Sequence, residues 1–159
     1  MNEPTSRAQR VRNLIAGCVI VLCVGFYAFF RVPAISTEYD AMEPAYHAGH
    51  RVVVNIRARN FKKGDDVYYQ YTFRGETQRQ LGRIRGAPGD LVILDKSNQS
   101  IWDLFEKTVD PQGRTVGKVP AGKYYILRVN EEADFIDSRK IGLVGGDDVI
   151  GRAVAALPF

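Results

Sequence analysis

Leu14 to Phe30 is a run of seventeen residues without a charged side chain, and nothing else in this 159-residue chain resembles it. As a helix it spans about 25 Å, slightly short of a hydrocarbon core of about 30 Å. Arg12 and Arg31 can snorkel at its ends, and Phe26, Tyr27, Phe29 and Phe30 form an aromatic cuff suited to one interface. The run reads as a transmembrane anchor over residues 13–31, with residues 1–12 as an arm and 32–159 as one outer domain. Arg7, Arg10 and Arg12 precede the run, whereas Glu38 and Asp40 follow it. The positive-inside rule then places the arm in the cytoplasm and the domain outside the cell membrane. A cleavable signal peptide is the rival reading, since Val32-Pro33-Ala34 would pass as a cleavage site. The run is longer than an h-region of roughly 7–15 residues, so a retained single-pass anchor is expected.

Charge is unevenly placed. Of 22 basic and 18 acidic side chains, Arg7, Arg10, Arg12 and Glu3 lie in the first 30 residues, so the remainder carries a net charge of only +2. Nucleic-acid binding needs a basic face, and this balance argues against it. Both cysteines, Cys18 and Cys23, fall inside the apolar run, where they cannot staple the outer domain. They read as small apolar groups of a membrane helix, with lipidation as the alternative.

After the anchor, short strand-like runs recur at 51–57, 67–73, 79–84, 91–94, 123–129 and 149–157. Between them stand turn signals: Lys63-Gly64-Asp65, Arg74-Gly75, Pro88-Gly89-Asp90, Asp110-Pro111-Gln112-Gly113, Pro120-Ala121-Gly122 and Gly145-Gly146. This pattern predicts a mainly β domain, a sandwich or barrel. The nearest thing to an amphipathic helix is 100–107, where Trp102, Leu104 and Phe105 look like packing groups.

Three segments carry a family likeness. Asp40-Ala41-Met42-Glu43-Pro44, followed by Gly49-His50-Arg51-Val52-Val53-Val54, resembles a Ser-Met-x-Pro box with its Gly-Asp turn and strand. The segment 82–90, GRIRGAPGD, resembles a Lys-Arg-Val-x-Gly-x-Pro-Gly-Asp box. Asp137-Ser138-Arg139-Lys140-Ile141-Gly142 resembles an Asp-Ser-Arg-x-x-Gly box. Lys63-Gly64-Asp65 and Val119-Pro120-Ala121-Gly122 are smaller echoes. In this order and spacing, the boxes are similar to those of type I signal peptidases. The resemblance implies an outer domain of the signal peptidase/LexA-like β fold lying against the membrane. It also implies a Ser-Lys dyad that cuts exported preproteins after small residues. A serine hydroxyl needs a base beside it, and a lysine serves only when apolar surroundings keep it uncharged.

Placed residue by residue, the family's serine falls on Ala41 and its lysine on Gly82. A supporting serine falls on Phe135, and an oxyanion donor of many members falls on Tyr39. The family's Gly-Asp-Asn run becomes Arg128-Val129-Asn130. Gly86, Pro88, Gly89, Asp90 and Ser138 survive as backbone-setting residues, and Arg83, Asp137 and Arg139 as an expected ion-pair group. Loss of a triad nucleophile costs on the order of a millionfold in kcat in serine proteases, so no catalytic residues are expected. Asp40, Ala41, Met42, Pro44 and Gly82 remain as the expected lining of a substrate groove. Asp40, Ser36 and Thr37, or an Asp134–Asp137 pair, are the conceivable replacements, but none brings a nucleophile and base together. His47 and His50 fall short of a zinc ligand set. Neither metal nor cofactor is expected.

The chain also resembles dyad-less signal-peptidase-like proteins of Gram-positive pilus assembly, which work alongside sortases. The resulting expectation is a non-catalytic factor that holds a pilin or preprotein signal segment by strand addition. The alternative is an active signal peptidase with relocated catalytic groups, and a purely structural membrane scaffold is a third reading.

Overall fold

A computed structural model describes residues 7–33, 42–47, 49–130 and 136–157. Helix α1, Arg7–Phe29, contains the apolar run up to its last residue but one and buries none of its own residues. Leu22 is 71% exposed, and Leu14 and Val21 are nearly as open. A helix that is apolar all round requires an apolar surrounding, and nothing among the described residues covers this one. Its 23 residues span about 35 Å, long enough to cross a bilayer once.

The helix passes directly into a strand, β1, Phe30–Arg31. This strand pairs antiparallel with β2, Arg51–Asn55, through Phe30↔Asn55 and Arg31↔Val54. The rest of the domain is mainly β, as the turn spacing predicts. The remaining strands are β3 Asp66–Phe73, β4 Glu76–Gly86, β5 Leu91–Ile93, β6 Glu106–Val109, β7 Thr115–Lys118, β8 Lys123–Leu127, β9 Val144–Gly145 and β10 Val149–Leu157. A seven-stranded sheet runs β1-β2-β10-β3-β4-β8-β9, and a three-stranded sheet runs β5-β7-β6.

Alternation places Val67, Tyr69 and Tyr71 of β3 inward, where they pack with Phe61, Ile84, Ile126, Val144 and Val149. A second cluster joins Val92, Leu94, Ile101 and Phe105 to Tyr125 and Leu127, coupling the small sheet to β8. Burying an aliphatic or aromatic side chain of this kind contributes about 1.5–3 kcal/mol.

Two elements were not anticipated from the sequence. Residues 100–107 do not form one helix. A 3-10 helix, Lys96–Leu104, opens on an Asp95–Asn98 capping box and ends before β6. Strands β6 and β7 form a hairpin around the 110–113 turn. The alternation signal misses it because all four residues of β6 are exposed.

Candidate functional site

The first box enters the described residues at Met42, whose side chain is 2% exposed and packs on Val52 and Val54 of β2 and Leu81 of β4. Tyr46 N–H donates to the Met42 carbonyl at 3.0 Å, closing the turn that holds Pro44. The Glu43–Pro44 peptide bond is cis. Asp40, Ala41 and Tyr39 lie outside the described residues, as do Ser36, Thr37, Asp134 and Phe135.

The second box begins in the C-terminal half of β4, with 82–86, and ends in the turn at 87–90. Gly82 faces Val67 across the β3–β4 ladder, with Tyr69 opposite Gln80. A Cβ at Gly82 would come within 2.6 Å of Ile126 Cγ2 and 3.0 Å of the Tyr69 ring. Both neighbours are completely buried. The space that a lysine stem would need is therefore occupied by two side chains that have nowhere to go.

Around the Tyr69 ring lies a polar group that sequence reasoning missed. The Gln80 amide donates to the Tyr69 hydroxyl, and to the Ile136 carbonyl at 2.9 Å. The Arg128 guanidinium donates to Gln80 Oε1, and the Tyr71 hydroxyl donates to Gln78 Oε1 at 2.7 Å. Desolvation pushes the Tyr69 hydroxyl well above its ordinary pKa and lowers that of Arg128. The available signal was strand parity: Gln78, Gln80 and Gly82 share one face of β4, opposite Tyr71, Tyr69 and Val67. Parity alone does not say that Arg128, from beyond β8, joins them.

The expected single ion-pair group of Arg83, Asp137 and Arg139 is two separate pairs. Arg83 lies directly opposite Asp66 in the ladder and grips it with two bonds, of 2.7 and 2.9 Å. Hydrogen bonding to Asp66 raises the pKa of Arg83. Tyr46 also reaches Asp66, and desolvation, reinforced by that carboxylate, pushes its hydroxyl up to about 12.

Asp137 is wholly buried and belongs to the other pair. It caps a short helix, α2, Ser138–Ile141, through Arg139 N–H at 3.0 Å, and its carboxylate takes the Arg139 guanidinium at 2.7 Å. Ser138 Oγ accepts from Ile126 N–H of β8 at 2.9 Å. The Asp-Ser-Arg box thus fastens α2 to the sheet. These bonds commit Asp137 to Arg139, which leaves it unsuited to an aspartic dyad with Asp134.

The Pro88-Gly89-Asp90 turn is likewise structural. Gly89 has φ of +89°, which a residue with a Cβ resists, and Asp90 Oδ2 accepts Ala87 N–H at 2.9 Å. His47 Nδ1–H donates to Glu43 Oε1 at 2.8 Å, and the ring meets His50 edge to face. Among the described residues no group of three metal-binding side chains forms.

One geometric opening remains. Strand β3 accompanies β4 from Glu76 to Arg83, but β8 pairs with β4 only from Arg83 onward. On that side, the stretch 76–82 has no strand partner among the described residues. It adjoins the apolar patch of Met42, Leu81, Val129 and Tyr68. A polypeptide in extended form fits such an edge, with backbone bonds to β4 and alternate side chains on the patch.

No model of a protein family matches the chain. Among curated proteins, it is 25% identical to signal peptidase I of Bacillus licheniformis over 96% of this chain and 89% of that protein. It is 25% identical to signal peptidase I T of Bacillus subtilis, over 95% and 88% of the two chains. With signal peptidase I U of the same organism it shares 24%, over 92% and 84%. The chain is thus similar to signal peptidases I along nearly its whole length, with the three boxes in order on a mainly β domain behind a helix long and apolar enough to cross a membrane.

Proposed function

We propose that this protein is a non-catalytic, membrane-anchored member of the signal peptidase I family that holds the signal segment of an exported protein without cutting it. The observation that carries this reading is Gly82, where Ile126 and Tyr69 fill the space of the family's general base. A peptidase that had merely exchanged its lysine would keep a cavity there. Here two fully buried side chains stand closer to the position than a Cβ tolerates. The unpaired edge of β4 beside Met42 and Leu81 supports retention of the peptide-binding half of the activity.

The domain lies on the outer face, with the N-terminal arm in the cytoplasm, and the supporting observation is Arg7, Arg10 and Arg12 ahead of the apolar run. Pilins handled together with a sortase are the proposed clients, a choice supported by the likeness to dyad-less pilus-assembly factors.

The test uses purified full-length protein in neutral detergent with a fluorescent signal peptide. The expected result is saturable binding with the peptide intact after long incubation. Cleavage at one defined bond, persisting through repurification and abolished by Asp40→Ala, overturns the proposal in favour of a relocated active site. Absence of binding overturns the groove assignment.

A further inference from the structure

The near-neutral charge of the domain conceals an uneven arrangement. Between Pro44 and Asp65 the chain contains Arg51, Arg57, Arg59, Lys62 and Lys63, and no acidic residue. The fold brings part of this segment to the end of α1. Ile56 N–H donates to the Phe29 carbonyl at 2.9 Å, and Arg57 Nε reaches the Ala28 carbonyl at 3.5 Å. The Arg57 guanidinium stacks over the Phe29 ring at 5.6 Å, and Arg31 stacks over Tyr27 at 4.9 Å. Arg59 curls back onto the Ile56 and Ala58 carbonyls, at 3.2 and 2.7 Å.

Five cations elsewhere in the domain meet carboxylates: Arg83 with Asp66, Arg114 with Asp110, Arg139 with Asp137, Arg152 with Asp65 and Lys107 with Asp103. Arg31, Arg57, Arg59, Lys62 and Lys63 are exposed, and the side chains of the three arginines contact backbone carbonyls and aromatic rings. No described carboxylate pairs with them.

Capping of the helix end accounts for Arg31 and for the long bond of Arg57 to the Ala28 carbonyl. It does not account for Arg59, Lys62 and Lys63, which follow β2 after its pairing with β1. Because α1 crosses the bilayer and its last turn carries the aromatic residues, these guanidinia lie at headgroup depth. We infer that Arg31, Arg57 and Arg59, with Lys62 and Lys63 beyond them, form a cationic collar that binds anionic phospholipid headgroups where the domain meets the membrane. Guanidinium groups suit phosphate because their forked donors match its oxygens. The collar selects phosphatidylglycerol over zwitterionic lipid, and it acts at the C-terminal end of α1 whichever leaflet that end occupies.

The test reconstitutes the full chain in phosphatidylcholine bilayers and measures, by electron spin resonance, how strongly spin-labelled phosphatidylglycerol and phosphatidylcholine associate with it. Phosphatidylglycerol is expected to be preferred by about fivefold at low ionic strength, the factor one basic residue near an anionic surface contributes, and by less in high salt. The variant Arg57→Gln/Arg59→Gln/Lys62→Gln/Lys63→Gln should lose most of the preference. The variant Arg57→Lys/Arg59→Lys, which keeps the charge, should retain it. Removing the arm's charges with Arg7→Gln/Arg10→Gln/Arg12→Gln should leave a clear preference behind. Equal association of the two lipids with the native chain overturns the inference. So does a preference that survives the collar variant and vanishes with the arm variant.

Discussion

The sign of a single methyl group's effect tests the reading of Gly82. In an ordinary strand, Gly→Ala stabilises by about 0.4–1 kcal/mol, because alanine leaves the unfolded chain less freedom to lose. Gly82 lies outside the left-handed region of φ, so backbone strain brings no opposing contribution. Packing does oppose. The new Cβ would sit 2.6 Å from Ile126 Cγ2 and 3.0 Å from the Tyr69 ring, against 3.4–4 Å for ordinary contact. Both partners are fully buried, and the Leu127 carbonyl, at 3.3 Å, limits retreat of the strand.

Overpacking of this kind costs about 1–3 kcal/mol. Gly82→Ala should therefore destabilise by about 1–2 kcal/mol net and lower Tm by about 4–8 °C. Urea unfolding of the full-length protein in neutral detergent, followed by near-ultraviolet circular dichroism, measures this. Ile126→Ala removes the clashing methyl, so the Gly82→Ala/Ile126→Ala pair should be less than additive by about 1 kcal/mol. Gly82→Lys should be worse than Gly82→Ala, since its stem enters the same space and its ammonium would be desolvated beside Arg128. Consequently Ala41→Ser/Gly82→Lys should recover no cleavage. An alanine variant as stable as the native chain, or more so, would refute the claim that the base's position is filled.

Three further outcomes are expected. Protease applied to intact protoplasts should digest residues 32–159 and spare the arm, and protection of the domain would reverse the proposed topology. Asp137→Asn should destabilise by about 3–5 kcal/mol, because it strands a partly buried Arg139 and weakens the α2 cap. A loss below about 1 kcal/mol in the same urea assay would show that this pair is not structural. Alkali should destabilise the fold, because the folded-state pKa of Tyr46, about 12, exceeds its unfolded value near 10. The unfolded chain then releases protons first, so stability present below pH 10 declines between pH 10 and 12. Tyr46→Phe should shallow that decline, and an unchanged slope would contradict the assignment.

The anchor, most strands and the three boxes were legible because each is a local pattern: an uncharged run, alternation between turns, or a short motif. Partnerships between strands were not. Arg83 shares its box with Gly86 and Asp90, yet its partner is Asp66, chosen by the β3–β4 register. The β6–β7 hairpin was missed because a strand exposed on both faces shows no period-two pattern. The filling of the dyad's space was legible only by half. Gly82 announces a missing lysine, but that Tyr69 and Ile126 close over it follows from cross-strand packing. The cationic collar was invisible for a related reason: Arg31 and Arg57 lie 26 positions apart in the chain and meet only through the pairing of β1 with β2.

That pairing also turns the anchor into a gauge. Helix α1 ends at Phe29 and the strand begins at Phe30, with no residue between them to act as a swivel. The edge of β4 is built on the same sheet, four strands away, so its height above the bilayer is set by the fold rather than by a tether. On the proposed function, a client anchored in the same membrane would be measured by the number of residues between its own apolar segment and the part that reaches that height. Each residue added to the client's extended segment shifts its register by about 3.3 Å, so selection by length would accompany selection by side chain.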